Sequence, residues 1–295
     1  MANGQWYPPE WPDLIRGLAE GTLTPVTPKR AATVMLLKDT DTDTDTGPVV
    51  HMLRRRASMA FAGGAYAYPG GGVDPRDDDH LIRWAGPTRA WWASRLGLGT
   101  DETSAQAVVC AAVRETYEEA GVLLAGPTAD SVVGDTTGDD WEADRAALVA
   151  RELSFAEFLD RRGLVLRSDL LGAWARWITP EFESRRYDTW FFVAALPRGQ
   201  RTRNASTEAD RTVWIEPATA AASYDKGELL MLPPTIATLR ALAPYDSVSG
   251  ALAGALERDL APVLARASLE DGEIVLAWPG HEEFTKHIPL GGAPA

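Results

Sequence analysis

Residues 113–124 read VRETYEEAGVLL, three glutamates within five positions of an otherwise apolar segment. A helix turns about 100° per residue, so Glu118 lies about 60° to one side of Glu115 and Glu119 about 40° to the other. The three carboxylates therefore share one helix face. Arg114 stands four residues before Glu118, its neighbour along that face. Gly121 falls where a helix ends in a left-handed residue. Each pair of such carboxylates, about 5 Å apart, costs about 3 kcal/mol at an effective dielectric of about 20. Two environments relieve that repulsion, open solvent or cations.

The helix carrying them extends back to Ser104, with Thr103 or Ser104 as its N-cap. Cys110 lies in its apolar run AVVCAAV and reads as a core residue; as the sole cysteine it excludes an internal disulfide. Upstream, RAATVMLLKD (30–39) and VVHMLRRR (49–56) read as an antiparallel strand pair. TDTDTDTGP (40–48) between them reads as a solvated loop, since it lacks the glycine and terminal glutamate of an EF-hand. AYAYPGGGVDP (65–75) is a strand entering a glycine-rich turn. Next come one or two short helices in a Trp-containing stretch, with Asp77, Asp78 and Asp79 as its solvated end.

Downstream, WEADRAALVARE and SFAEFLDRRG read as helices, the second opening on a capping box at Ser154 and Glu157. LLGAWARWITP (170–180), YDTWFFVAALP (187–197) and RTVWIEP (211–217) read as strands. PPTIATLRALA (233–243) and SGALAGALERDLAPVLARA (249–267) read as helices, followed by a strand-like EIVLAWPG (273–280). Strands and helices interleave without regular βαβ alternation, which predicts an α+β fold.

The 29 basic and 42 acidic residues give a net charge of −13, which disfavours nucleic acid as a partner. Phosphorylated small molecules stay open to such a chain where metal ions mediate. No run of 18 apolar residues suggests a membrane span, and MANGQWYPPEWPDL lacks the order of a signal peptide. A cytoplasmic protein is the expectation.

PGGGVD (69–74) followed by RETYEEAGV (114–122) resembles the signature of the Nudix hydrolases. Arg114, Glu115, Glu118, Glu119, Gly121 and Val122 match the fixed positions of its second half. The first half is interrupted: with Gly71 as the signature glycine, about 29 residues are inserted, over about 76–104, relative to the family spacing. Counting back eight from Arg114 reaches Gln106, where the family carries a glutamate. Glu102 or the acidic residues of the insert are the substitutes. An insertion at this point resembles the branch containing the peroxisomal coenzyme A diphosphatases. MLRRRASMAFAGGAYAYPGG, RWITPEFESRRYDTWFFVA and ELLMLPPTIATL agree with that branch in order and spacing.

The resemblance implies a Nudix α/β/α sandwich: a mixed curved sheet between helices, a helical insert within the signature and a helical C-terminal extension (244–295). All of it reads as one domain over 1–295, with a core of about 28–243. It also implies a hydrolase that cleaves a nucleoside diphosphate derivative with Mg²⁺ or Mn²⁺. Glu115, Glu118 and Glu119 would ligate the metal with a carbonyl near Gly71, and Arg114 would hold the glutamates in place. Glu208 is the candidate base, with Asp210 and Glu183 as alternatives. Arg55 and Arg56 would meet substrate phosphates or form a solvated strand end. Trp190, with Trp177 and Tyr187 beside it as candidates, would stack on an adenine or serve the core. The four histidines show no metal-ligand spacing. Coenzyme A or an acyl derivative is the implied substrate. ADP-ribose, a dinucleotide cofactor, an oxidised nucleotide, or a binding module without catalysis are the rivals. A homodimer is consistent with relatives.

Overall fold

Residues 7–40, 47–59, 62–206, 208–270 and 272–289 are described in the computed structural model. Six residues of the Thr-Asp loop, 41–46, lie outside them. The strands are β1 (Lys29–Asp39), β2 (Pro48–Arg55), β3 (Tyr66–Ala67), β4 (Gly70–Gly72), β5 (Trp84–Ala85), β6 (Ala125–Gly126) and β7 (Val165–Arg167). They continue as β8 (Leu171–Ile178), β9 (Tyr187–Ala195), β10 (Ala209–Ile215), β11 (Val263–Leu264), β12 (Arg266–Glu270), β13 (Glu273–Ala277) and β14 (Lys286–Pro289). The helices are α1 (Trp11–Ala19), α2 (Arg89–Arg95), α3 (Glu102–Ala120) and α4 (Asp139–Val149). Then come α5 (Phe155–Arg161), α6 (Pro217–Asp225), α7 (Pro233–Leu242) and α8 (Val248–Gly254).

The main sheet runs β10-β2-β1-β9-β8-β11, with β3 on β2 and β4 on β1. β1 pairs parallel with β9 and antiparallel with β2 and β4, so the sheet is mixed. Successive strand side chains point to opposite faces, and β1 uses both. Ala32, Val34 and Leu36 join a cluster with α2, α3 and α5, while Met35 and Leu37 join a second cluster with α1, α6, α7 and α8. Burial on both faces explains why β1 reads as a continuous apolar run. The result is the α/β/α sandwich that the resemblance implied.

α3 is the axis of the first layer. Fourteen of its nineteen residues are buried, as expected for a helix packed on several sides at once. β1 and β4 meet it, and the insert packs on it through α2 and the 3₁₀ turn Pro75–Asp78. α3 begins at Glu102, two residues ahead of the predicted start, because Asp101 is the N-cap in place of Thr103 or Ser104. Asp101 Oδ1 accepts from the Ser104 N–H at 3.0 Å, and the Ser104 hydroxyl also donates to that carboxylate. At the other end Gly121 adopts φ 70°. The capping box of α5 forms between Ser154 and Glu157.

The C-terminal region departs from the helical expectation. α8 stops at Gly254 and one 3₁₀ turn follows (Ala255–Glu257). Arg95 of the insert donates from Nη2 to the carbonyls of Ala255 at 2.7 Å and Arg258 at 2.8 Å. Those bonds satisfy carbonyls that another helical turn would have needed, and Pro262 blocks continuation a few residues on. The chain then forms a three-stranded antiparallel sheet, β12-β13-β14. Its Ile274, Leu276 and Ile288 belong to the second core cluster. Among the described residues no helix is long and apolar enough to cross a membrane.

Candidate active site

The last two turns of α3 face the β4 strand and the start of the insert. Arg114, only 8% exposed, is the hub. Its Nε and Nη2 donate to the two oxygens of Asp77, both at 3.0 Å. Nη2 also donates to the Gly72 carbonyl at 2.8 Å, and Nη1 donates to Glu115 at 2.7 Å and Glu118 at 3.1 Å. All five N–H donors of a guanidinium are accounted for.

Asp77 corrects the sequence reading. It is 1% exposed instead of solvated. It is held by the turn it helps to cap, accepting from the Asp74 N–H at 2.8 Å. Counting forward six from Gly71 reaches Asp77, whereas counting back from Arg114 crosses the insertion and lands on Gln106. The acidic residue of the first half-signature is therefore present, and the insertion follows it. Gln106 instead staples the insert, accepting from Arg89 and donating to the Asp79 carbonyl at 2.7 Å. Glu102 cannot substitute, being thirteen residues and about 20 Å of helix away from Glu115.

Glu119 turns to the other side of the helix face. Its carboxylate accepts from the Gly70 N–H at 2.9 Å and from the Ser206 hydroxyl at 3.1 Å. No sequence signal pointed to Ser206. Gly71 packs against the carboxylate of Glu115 so closely that a Cβ there would lie 2.5 Å from Oε1. Glycine at this point thus lets Glu115 lie against the turn, and a larger residue would displace that carboxylate.

Burial pushes the Glu115 carboxyl up to about 7 and the Glu119 carboxyl up to about 8. It raises Glu118 and Asp77 as well, against the opposing pull of Arg114. Three of these carboxylates thus share one guanidinium, and Glu119 has no cation bonded to it among the described residues. The deficit of positive charge and the all-oxygen donor set suit a hard divalent cation. Among the described residues no three such side chains surround a common cation position. Glu115 and Glu118 are occupied by Arg114, and would turn from Nη1 to take up a metal.

A cleft of about 220 Å³ opens over this cluster and is also lined by Glu208, Arg76 and Arg151. Glu208, at the entry to β10, lies 3.5 Å from Arg55, and its carbonyl accepts from the Arg56 N–H at 2.8 Å. The structure therefore brings Glu208 to the cleft and Arg55 beside it. Asp210 pairs with Arg54 at 2.7 Å, and Glu183 accepts from the Trp11 indole at 2.8 Å; neither lines the cleft. Trp190 is corrected to a core residue. It is fully buried, its indole N–H donates to the Leu96 carbonyl at 3.0 Å, and Arg176 lies 4.4 Å from the ring centre. No ring face is left for an adenine. Trp177 is buried against His281 and Phe284, and exposed Tyr187 does not line the cleft.

Residues 93–242 match the family model of the NUDT19 Nudix domain. Acyl-coenzyme A diphosphatase NUDT19 of Gallus gallus is 27% identical, over 67% of this chain and 61% of that protein. The chain therefore spans less than two thirds of that relative. The protein of the same name from Homo sapiens is 28% identical, over 79% of this chain and 71% of that protein. Among solved structures, a NUDIX hydrolase from Alicyclobacillus acidocaldarius superposes with a TM-score of 0.64 at 25% identity, covering 80% of this chain and 99% of that one.

Proposed function

The chain belongs to the NUDT19 Nudix-domain family of Nudix hydrolases, and from that premise we propose that its acidic cleft hydrolyses the diphosphate of coenzyme A or an acyl-coenzyme A. The products are adenosine 3′,5′-bisphosphate and phosphopantetheine or its acyl form. The observation that carries the reading is the acidic cluster in which Asp77, Glu115 and Glu118 share a single committed arginine, with Glu119 beside them on the Gly70 N–H. The named activity of the relatives supplies the substrate class.

Glu115, Glu118 and Glu119, with a carbonyl near Gly71, are the groups that would hold Mg²⁺ or Mn²⁺. A divalent ion there supplies charge neutralisation of the diphosphate and a more acidic water. Arg114, anchored by Asp77, keeps the helix face and the glycine turn in register. The absence of a side chain at Gly71 leaves room for Glu115 against the turn. Glu208 accepts the proton as a water oxygen bonds to phosphorus and the bridging P–O bond breaks. Arg55, 3.5 Å away, orients the Glu208 carboxylate.

The test is hydrolysis of coenzyme A, acetyl-coenzyme A, ADP-ribose, NADH and 8-oxo-dGTP with Mg²⁺ or Mn²⁺. Selective cleavage of the coenzyme A compounds is expected, with Glu118→Gln lowering kcat by about 10²-fold or more. Cleavage of another compound would keep the hydrolase and discard the substrate. Metal binding without any cleavage would favour a nucleotide-binding module.

A further inference from the structure

α4 ends at the rim of the same cleft in a way that sequence rules disfavour. Arg151, the residue after its C-cap, has φ 59°. Among the described residues only Ala62 shares a positive φ without being glycine. The chain wraps the helix end there, the Arg151 N–H bonding to Leu148 and the N–H groups of Glu152 and Leu153 both bonding to the carbonyl of Ala147. Glycine is the ordinary occupant of such a turn, because a Cβ strains the left-handed conformation. An arginine here needs another reason.

The committed state of the other cations supplies one. Three arginines are among the residues that line the cleft, Arg76, Arg114 and Arg151. Arg114 has all five donors engaged by Asp77, Gly72, Glu115 and Glu118. Arg76 grips both oxygens of Asp74 and donates from Nη1 to the Arg151 carbonyl at 3.3 Å. The guanidinium of exposed Arg151 makes no hydrogen bond or ion pair among the described residues. The strained residue is thus the one that offers a free planar fork of donors to whatever enters, in a form suited to a phosphate.

We propose that Arg151 is a substrate-binding residue that grips a phosphate group of the nucleotide substrate at the cleft rim. This rests on the reading of the cleft as a diphosphatase site and adds a specificity residue to it. Arg76 is its positioning partner through the Arg151 carbonyl. The left-handed backbone at Arg151 sets this residue at the cleft lining, where Asp74 has already engaged Arg76.

The test titrates the full chain with ADP and with adenosine 3′,5′-bisphosphate in Mg²⁺, comparing wild type, Arg151→Gly and Arg151→Lys by calorimetry. Arg151→Gly should weaken Kd by about tenfold or more while raising Tm by about 2–4 °C. A side chain with only a structural role would not move the two in opposite directions. Arg151→Lys, keeping the charge but losing the fork, should fall between. A loss confined to ADP assigns the arginine to the diphosphate, and one confined to the bisphosphate assigns it to the phosphomonoester; either supports the proposal. Unchanged Kd for both ligands in Arg151→Gly overturns it, as does a wild type that binds neither. Intact ligand binding with no coenzyme A hydrolysis would sink the functional reading alone.

Discussion

Asp77 shows how much one side chain holds. It supplies two of the five acceptors of a buried guanidinium, and Arg114 in turn organises Glu115 and Glu118. Asp77→Ala would leave that guanidinium short of two partners in a site only 8% exposed. Breaking one partner of a buried pair costs about 3–5 kcal/mol, so the urea midpoint should fall correspondingly. Asp77→Asn, which keeps one acceptor, should cost less. A loss below about 1 kcal/mol for Asp77→Ala would mean that Glu115 and Glu118 alone fix Arg114. The glutamates and Gly121 were legible because helical periodicity is local and the residues lie within nine positions. Asp77 was not, because its partner is 37 positions away across an insertion. Trp190 was misread for the same reason, since nothing in an aromatic-rich strand states which layer covers it.

At the scale of elements, long apolar runs predicted β1, β8 and β9 well because burial on one or both faces dictates their composition. The region after 249 misled because its alternation of alanine and leucine suits a helix until tertiary partners intervene. Arg95 is that partner: its Nη2 donates to the carbonyls of Ala255, which opens the 3₁₀ turn, and of Arg258, just past its end. It also links the insert to the C-terminal region across more than 150 positions. Arg95→Ala should therefore lower stability by about 1–3 kcal/mol through unsatisfied carbonyls. Backbone amides of 255–258 and of α2 should exchange faster together in hydrogen–deuterium measurements. Faster exchange in α2 alone would show that the link is not what ends α8. The short α1 and α6 escaped the sequence reading because each is a single pair of turns whose helicity depends on the sheet beneath it.

For the whole molecule, the acidic cleft makes folding depend on pH in a direction opposite to the usual carboxylate effect. Glu115 and Glu119 bind protons more tightly folded, near 7 and 8, than unfolded, near 4.5. Between those values the folded state carries the extra protons, so stability of the metal-free protein falls as pH rises. Each group contributes about 1.4 kcal/mol per pH unit spent inside its window. His51 acts the other way: burial lowers it to about 4 from 6.5, so the unfolded state binds the extra proton and stability rises with pH until about 6.5. Lys286, lowered to about 8 from 10.5 by burial, adds a rising contribution only above 8. The interval from 6.5 to 8 is therefore governed by the carboxylates. Tm in EDTA should decline across it, and Glu119→Gln should flatten the decline. Mg²⁺ or Mn²⁺ should reverse it, because a cation held by these carboxylates competes with the protons and stabilises most where the protons have left. Parallel Tm profiles with and without the cation would show that the buried charges find their compensation elsewhere, and would remove the electrostatic argument for a metal in the cleft.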